Sequence, residues 1–138
     1  MHRLPVCLAA LLSLAHMATA QPGGACPPPG EDFQHLAAGN VEVAYRWDPR
    51  ALKVGQFFSA DVIACRLPAG ISRIAIDATM PAHGHGMNYL PKATETAPGH
   101  YRFTGLMLHM PGRWQLTIEL YDGNTLVHRL IRDLDLKP

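Results

Sequence analysis

The feature that most constrains this chain is a hydrophobic period of two. From Arg113 to Tyr121, Trp114, Leu116, Ile118 and Leu120 alternate with Arg113, Gln115, Thr117 and Glu119. Successive side chains point to opposite faces only in an extended backbone, so this run reads as a strand with one face in a core and the other toward solvent. A helix would scatter the same four apolar residues around its circumference. Asp122-Gly123-Asn124 then reads as a tight hairpin turn. Thr125 to Leu134 is the returning strand, with Val127 and Ile131 on one face and Leu126, Leu130 and Leu134 on the other.

The same period recurs upstream. Val41, Val43 and Tyr45 alternate with Glu42, Ala44 and Arg46, up to a turn at Asp48-Pro49. Between Gln56 and Cys65, Phe58, Ala60, Val62 and Ala64 share a face opposite Phe57, Ser59, Asp61, Ile63 and Cys65. After Pro68-Ala69-Gly70, Ile74, Ile76 and Ala78 point inward and Arg73, Ala75 and Asp77 outward. Tyr101 and Phe103 open another strand behind the Pro98-Gly99 turn. Glu31–Ala38 has room for a short helical turn ending at Gly39, too short to matter alone. With no long apolar stripe of helical period, the pattern predicts an all-β fold: an immunoglobulin-like antiparallel β-sandwich of about seven strands. At 138 residues the chain holds one such domain.

The first residues read as a targeting segment. A basic start at His2 and Arg3 precedes the apolar run Leu4 to Leu14, and Ala18-Thr19-Ala20 is a small-residue cleavage site. The expected organisation is a signal peptide over 1–20, a Pro/Gly-rich arm over 21–40 and the sandwich domain over 41–138. The protein is then periplasmic or secreted, with no stable membrane span after cleavage. An uncleaved anchor is the competing reading of the same segment. Cleavage before Gln21 leaves 118 residues, with six His, four Met, two Cys and 11 basic against 11 acidic residues. That balance carries no electrostatic footprint for nucleic acid. Two cysteines in an exported chain, Cys26 and Cys65, are expected to form a disulfide. The alternative is that Cys65 is a reduced core residue, since a free thiol packs as a small hydrophobe.

Three of those six histidines and all four methionines fall in two segments, Met80-Pro81-Ala82-His83-Gly84-His85-Gly86-Met87 and Met107-Leu108-His109-Met110. In an extended segment His83, His85 and Met87 share a face, and Gly84 and Gly86 leave the other face bare. Met107 and His109 share a face by the same rule. Imidazole and thioether without carboxylate form a soft to borderline donor set, which suits copper better than calcium, magnesium or zinc. The copper candidates are His83, His85, Met87 and His109, with Met80, Met107 and Met110 as additional ligands. The competing reading has Met80 and Met107 filling the core and His-Gly-His serving as a rigid turn. His35, His100 and His128 read as ordinary surface or strand-end residues. There is no nucleophile elbow, phosphate loop or HExxH motif, and no carboxylate within the His cluster, so no enzyme is expected.

Three short motifs in succession, Met80-Pro81-x-His83-x-His85-Gly86, Gly99-x-Tyr101-x-Phe103-x-Gly105 and Met110-Pro111-Gly112-x-Trp114-x-Leu116, resemble the exported YtkA-like/FixH-like β-sandwich proteins. The resemblance spans about residues 41–121. It implies an immunoglobulin-like module outside the cytoplasmic membrane, associated with copper handling or with assembly of copper-containing respiratory oxidases. A copper-receiving or oxidase-assembly protein is then the expected partner. The chain departs from FixH proper, which is membrane-anchored, in having a cleavable leader. A metal-free structural or protein-interaction module of the periplasm is the alternative function, because a β-sandwich by itself does not dictate one.

Overall fold

The computed structural model describes residues 26–28 and 32–138, so the expected leader lies outside the described residues. Among the described residues nine strands are present: β1 (Gln34–Ala38), β2 (Val41–Asp48), β3 (Phe57–Arg66), β4 (Arg73–Met80), β5 (His85–Gly86), β6 (Lys92–Ala97), β7 (His100–Met107), β8 (Gly112–Asp122) and β9 (Thr125–Leu136). They form two antiparallel sheets, ordered β1-β2-β3-β7-β6 and β5-β4-β8-β9. With β2 as strand A and β9 as strand G, these orders are the A-B-E-D and C-F-G sheets of the immunoglobulin fold, with β5 as a short extra edge. The excess over seven strands comes from β1 and β5. Among the described residues no helix is long and apolar enough to cross a membrane.

The alternating runs build the core as their period requires. Trp114, Leu116, Ile118 and Leu120 are buried from the second sheet, and Val41, Val43, Tyr45, Phe58, Ala60 and Val62 meet them from the first. On β9 the alternation is only partly realised. Leu130 is buried, but Leu126 beside the hairpin turn is exposed. There the register shifts at Leu120/Tyr121, leaving Val127 without a cross-strand partner.

The helical turn that Glu31–Ala38 has room for is not found: Gln34–Ala38 is a strand paired with β2, from Gln34↔Tyr45 to Ala38↔Val41. So short a segment is a poor isolated helix. The β2 edge offers its backbone a full ladder, and Gly39, at φ 59°, turns the chain in the left-handed conformation that glycine tolerates. The arm expected over 21–40 therefore contributes a strand to the sandwich. Cys26, from the same arm, is disulfide-bonded to Cys65 of β3.

Polar groups tie the outer face of the second sheet together. Glu119 accepts hydrogen bonds from the Tyr121 hydroxyl (2.6 Å) and from Nε of Arg129 on β9 (2.9 Å), while the Arg73 guanidinium lies 3.6 Å from the Tyr121 ring centroid. Burial by itself raises the Glu119 pKa, but the bonds from Tyr121 and Arg129 outweigh it and hold the carboxyl below its ordinary value of 4.5. A depressed carboxylate stabilises the fold above its unfolded-state pKa and loses that contribution as pH falls through the folded value. Glu119→Gln is expected to cost about 1 kcal/mol at neutral pH. In urea titrations the gap between variant and wild type should close as pH falls below 4.5. A gap independent of pH would assign the loss to packing instead.

Candidate functional site

The β4–β5 turn and the β7–β8 connection come together at one end of the sandwich. Thr79 at the end of β4 pairs with Gln115 at the start of β8. His109 precedes β8 by three residues, so it arrives beside the turn that carries His83 and His85.

That turn is tight. The backbone N–H groups of His83 and Gly84 both donate to the Met80 carbonyl at 3.0 Å, and Gly84 has φ 66°. The chain then returns as β5, with Met80↔His85 and Thr79↔Gly86 as cross-strand partners. Only His85 and Gly86 are extended here, so the expected alternation of His83, His85 and Met87 along one face does not describe the loop. His83 and His85 approach each other because the chain reverses between them and Met80. A side chain at Gly86 would put its Cβ 3.3 Å from the Ala78 carbonyl oxygen, which explains a glycine against β4. The expectation that Met107 and His109 share a strand face is also corrected. β7 ends at Met107, and His109 lies beyond it in the connection.

The three imidazoles form a row. His85 stands between its neighbours in the contacts observed, with its ring centroid 5.7 Å from that of His83 and 5.1 Å from that of His109. Two imidazoles bound to one tetrahedral ion at ~2.0 Å have ring centroids about 5 Å apart, so the His85–His109 spacing fits a shared ion. Trp114 is the wall behind them. It is fully buried, its ring meets His109 edge-on at 5.4 Å and His85 at 6.0 Å, and its Nε1–H donates to the Met110 carbonyl at 3.0 Å. Nδ1 of His109 is buried with no hydrogen-bond partner, and Nδ1 of His85 has only a 3.4 Å contact to the Gly86 carbonyl. A buried nitrogen without a partner costs about 1–3 kcal/mol. Neither His83, His85 nor His109 pairs with a carboxylate; the one His–carboxylate pair among the described residues is His35–Glu42.

The methionines divide. Met80 is only 2% exposed and belongs to the core, so its surroundings are those of the filler reading. Its methyl lies 3.1 Å from where a Cβ would stand on Gly112, which itself has φ 122°. Met87 and Met110 are half-buried against the same core, and the Met87 N–H is bonded to the Ala78 carbonyl at 2.9 Å. Met107 is half-buried opposite Phe57 of β3. The turn and the connection thus bring His85 into ring contact with His83 on one side and His109 on the other, flanked in sequence by Met87 and Met110, while Met80 packs inward.

A second donor group lies elsewhere and was not expected from the sequence. Cys26, His35 and Glu42 place one ligand atom each within 4.8 Å of one another, the one such group of three His, Cys, Asp or Glu side chains among the described residues. His35, read as an ordinary surface residue, meets Glu42 seven positions later because the β1–β2 register sets His35 opposite Ala44 and Ala37 opposite Glu42. Nothing in the spacing signals this; it follows from a strand with no alternating pattern.

No curated protein and no solved structure matches the chain. Residues 69–119, which run from the turn before β4 nearly to the end of β8 and contain His83, His85, His109 and Trp114, match the family model described as YtkA-like, and the segment that builds the histidine corner is therefore YtkA-like.

Proposed function

We propose that this protein is an exported, non-enzymatic copper-binding module that takes up the ion at the histidine corner and passes it to a partner in copper handling or oxidase assembly. The observation that carries this reading is the pair His85 and His109. Their rings stand 5.1 Å apart, and a buried Nδ1 on His109 lacks any partner. Bound copper would be cargo, held by His85 and His109 with His83 and the Met87 and Met110 thioethers as the further soft donors. Imidazole and thioether hold Cu(I) without thiolate, which suits an oxidising compartment. The Cys26–Cys65 disulfide and the YtkA-like segment support export.

Anaerobic titration with Cu(I) and aerobic titration with Cu(II), followed calorimetrically and by tryptophan emission, test the proposal. One ion per chain is expected, with quenching of Trp114 in the wall. His85→Ala and His109→Ala should each weaken binding at least about tenfold. Equal affinity in wild type and both variants would reject the site. A second reading, a metal-free interaction module, is favoured by Phe57, Tyr89 and Leu90. Phe57 and Tyr89 stack edge-on at 5.1 Å, and Leu90 is 98% exposed. It predicts that copper leaves the unfolding midpoint unchanged.

A further inference from the structure

We infer that reduction of the Cys26–Cys65 disulfide opens a second metal site, selective for a borderline divalent ion such as Zn2+, built from both cysteines, His35 and Glu42. In the oxidised chain Sγ of Cys26 lies 3.9 Å from Nδ1 of His35, and the same Nδ1 lies 3.2 Å from Oε1 of Glu42. A tetrahedral ion with bonds of ~2.0–2.1 Å to nitrogen and oxygen and ~2.3 Å to sulfur holds N and O about 3.3 Å apart and N and S about 3.6 Å apart. The N···O and N···S separations therefore already lie near two edges of such a tetrahedron, and the oxygen and the first sulfur stand within 4.8 Å of each other. The second sulfur, Cys65, is covalently attached to the first.

What the oxidised chain lacks is charge on sulfur. Disulfide sulfur is no thiolate, so only His35 and Glu42 can bind an ion, and two donors do not make a structural site. Reduction supplies the missing pair. A dithiol delivers two electrons and two protons and closes to its own disulfide, while Cys26–Cys65 opens to two thiols. The metal ion then displaces both thiol protons to solvent and is held by two thiolates, one imidazole and one carboxylate. Freed sulfurs move apart toward van der Waals separation, close to the ~3.8 Å edge of an S–Zn–S tetrahedron. The carboxylate is positioned from its other side, where Nη2 of Arg66 lies 3.5 Å from Oε2 of Glu42. Cys26 is exposed and His35 and Glu42 are half-buried, so an ion has a path in.

This site is independent of the histidine corner, and sulfur ligation gives it its own signature. The purified chain is titrated with Co2+ and then Zn2+, oxidised and after treatment with a phosphine, which reduces the disulfide by transferring oxygen from water to phosphorus. The reduced chain is expected to take one Co2+ with a thiolate-to-cobalt charge-transfer band and strong tetrahedral visible bands, displaced by Zn2+. The oxidised chain and Cys26→Ser/Cys65→Ser should show no such band. His35→Ala and Glu42→Gln should each weaken Zn2+ binding to the reduced chain at least about tenfold. If reduction loosens the fold, Zn2+ should restore it, since ligation is coupled to folding. No charge-transfer band on reduction, or a band whose strength and affinity both variants leave unchanged, overturns the inference. His83, His85 and His109 bear no sulfur, so failure of the copper site leaves this readout unaffected.

Discussion

Trp114→Ala is expected to lower the unfolding free energy by about 3–5 kcal/mol, the range for deleting a large aromatic side chain from a packed core. Trp114 heads the fully buried side chains by volume and is 0% exposed. It also contributes a polar contact, the hydrogen bond from Nε1 to the Met110 carbonyl. Truncation removes the indole's contacts with the core, leaves a cavity and strands that carbonyl at once. The residue stands where β8 begins, against His85 and His109, so the cavity opens behind both rings. Denaturant unfolding monitored by far-ultraviolet circular dichroism measures the loss. Trp114→Phe should cost less, because it keeps most of the apolar volume and gives up mainly the hydrogen bond. A loss below about 1 kcal/mol for Trp114→Ala would mean that the histidine corner is not rooted in the core.

Cys26→Ser/Cys65→Ser is expected to cost about 4 kcal/mol under oxidising conditions. The estimate comes from the loop closed in the unfolded chain, whose ends are 39 positions apart. The crosslink joins residues outside the sandwich strands to β3, so its loss falls on the unfolded-state entropy and on the attachment of Cys26, while the interior facing Trp114 is untouched. The midpoint of denaturant unfolding should shift, and reducing the wild type should bring it to the same value. A double variant as stable as oxidised wild type would show that the disulfide constrains a region already ordered without it. Zn2+ added to the reduced wild type, but not to the double variant, should recover part of the difference if the second metal site forms.

The strands that were legible were those whose reason is local. In β8 each apolar residue is separated from the next by a polar one, and burial follows that order without exception from Trp114 to Leu120. Burial alternates in the same way at Ile74, Ile76 and Ala78 in β4, with the small Ala75 on the outer face between the first two. β1 was not legible, because Gln34-His35-Leu36-Ala37-Ala38 has neither period; it is a strand because β2 presents an unpaired edge to it. β5 is two residues long and exists only as the return of a turn.

The candidate site shows the same division. Clustering of His83, His85, His109 and the methionines is visible in the residue order, and His85 stands in ring contact with both His83 and His109. The reason is different from the one the spacing offered. Alternation along an extended loop would have set His83, His85 and Met87 side by side. Instead, a turn closed on the Met80 carbonyl brings two imidazoles together, and the crossing from β7 to β8 delivers the third. Met80, in the same motif, goes to the core because it ends a strand whose inward positions it continues after Ile74, Ile76 and Ala78.

Residue order alone was enough for the sandwich class and for the hairpin at Asp122-Gly123-Asn124, and it made Cys26–Cys65 the expected pair against a reduced Cys65. Each depends on a period, a turn chemistry or a count that can be read within a few residues or by arithmetic. Which donors stand together required the folded chain. His85 meets His109 because the β4–β8 pairing sets the β4–β5 turn beside the β7–β8 connection, and His35 meets Glu42 and Cys26 because the β1–β2 register and the crosslink bring them together. Such meetings are set by how strands pair over long separations, and local composition carries no record of that.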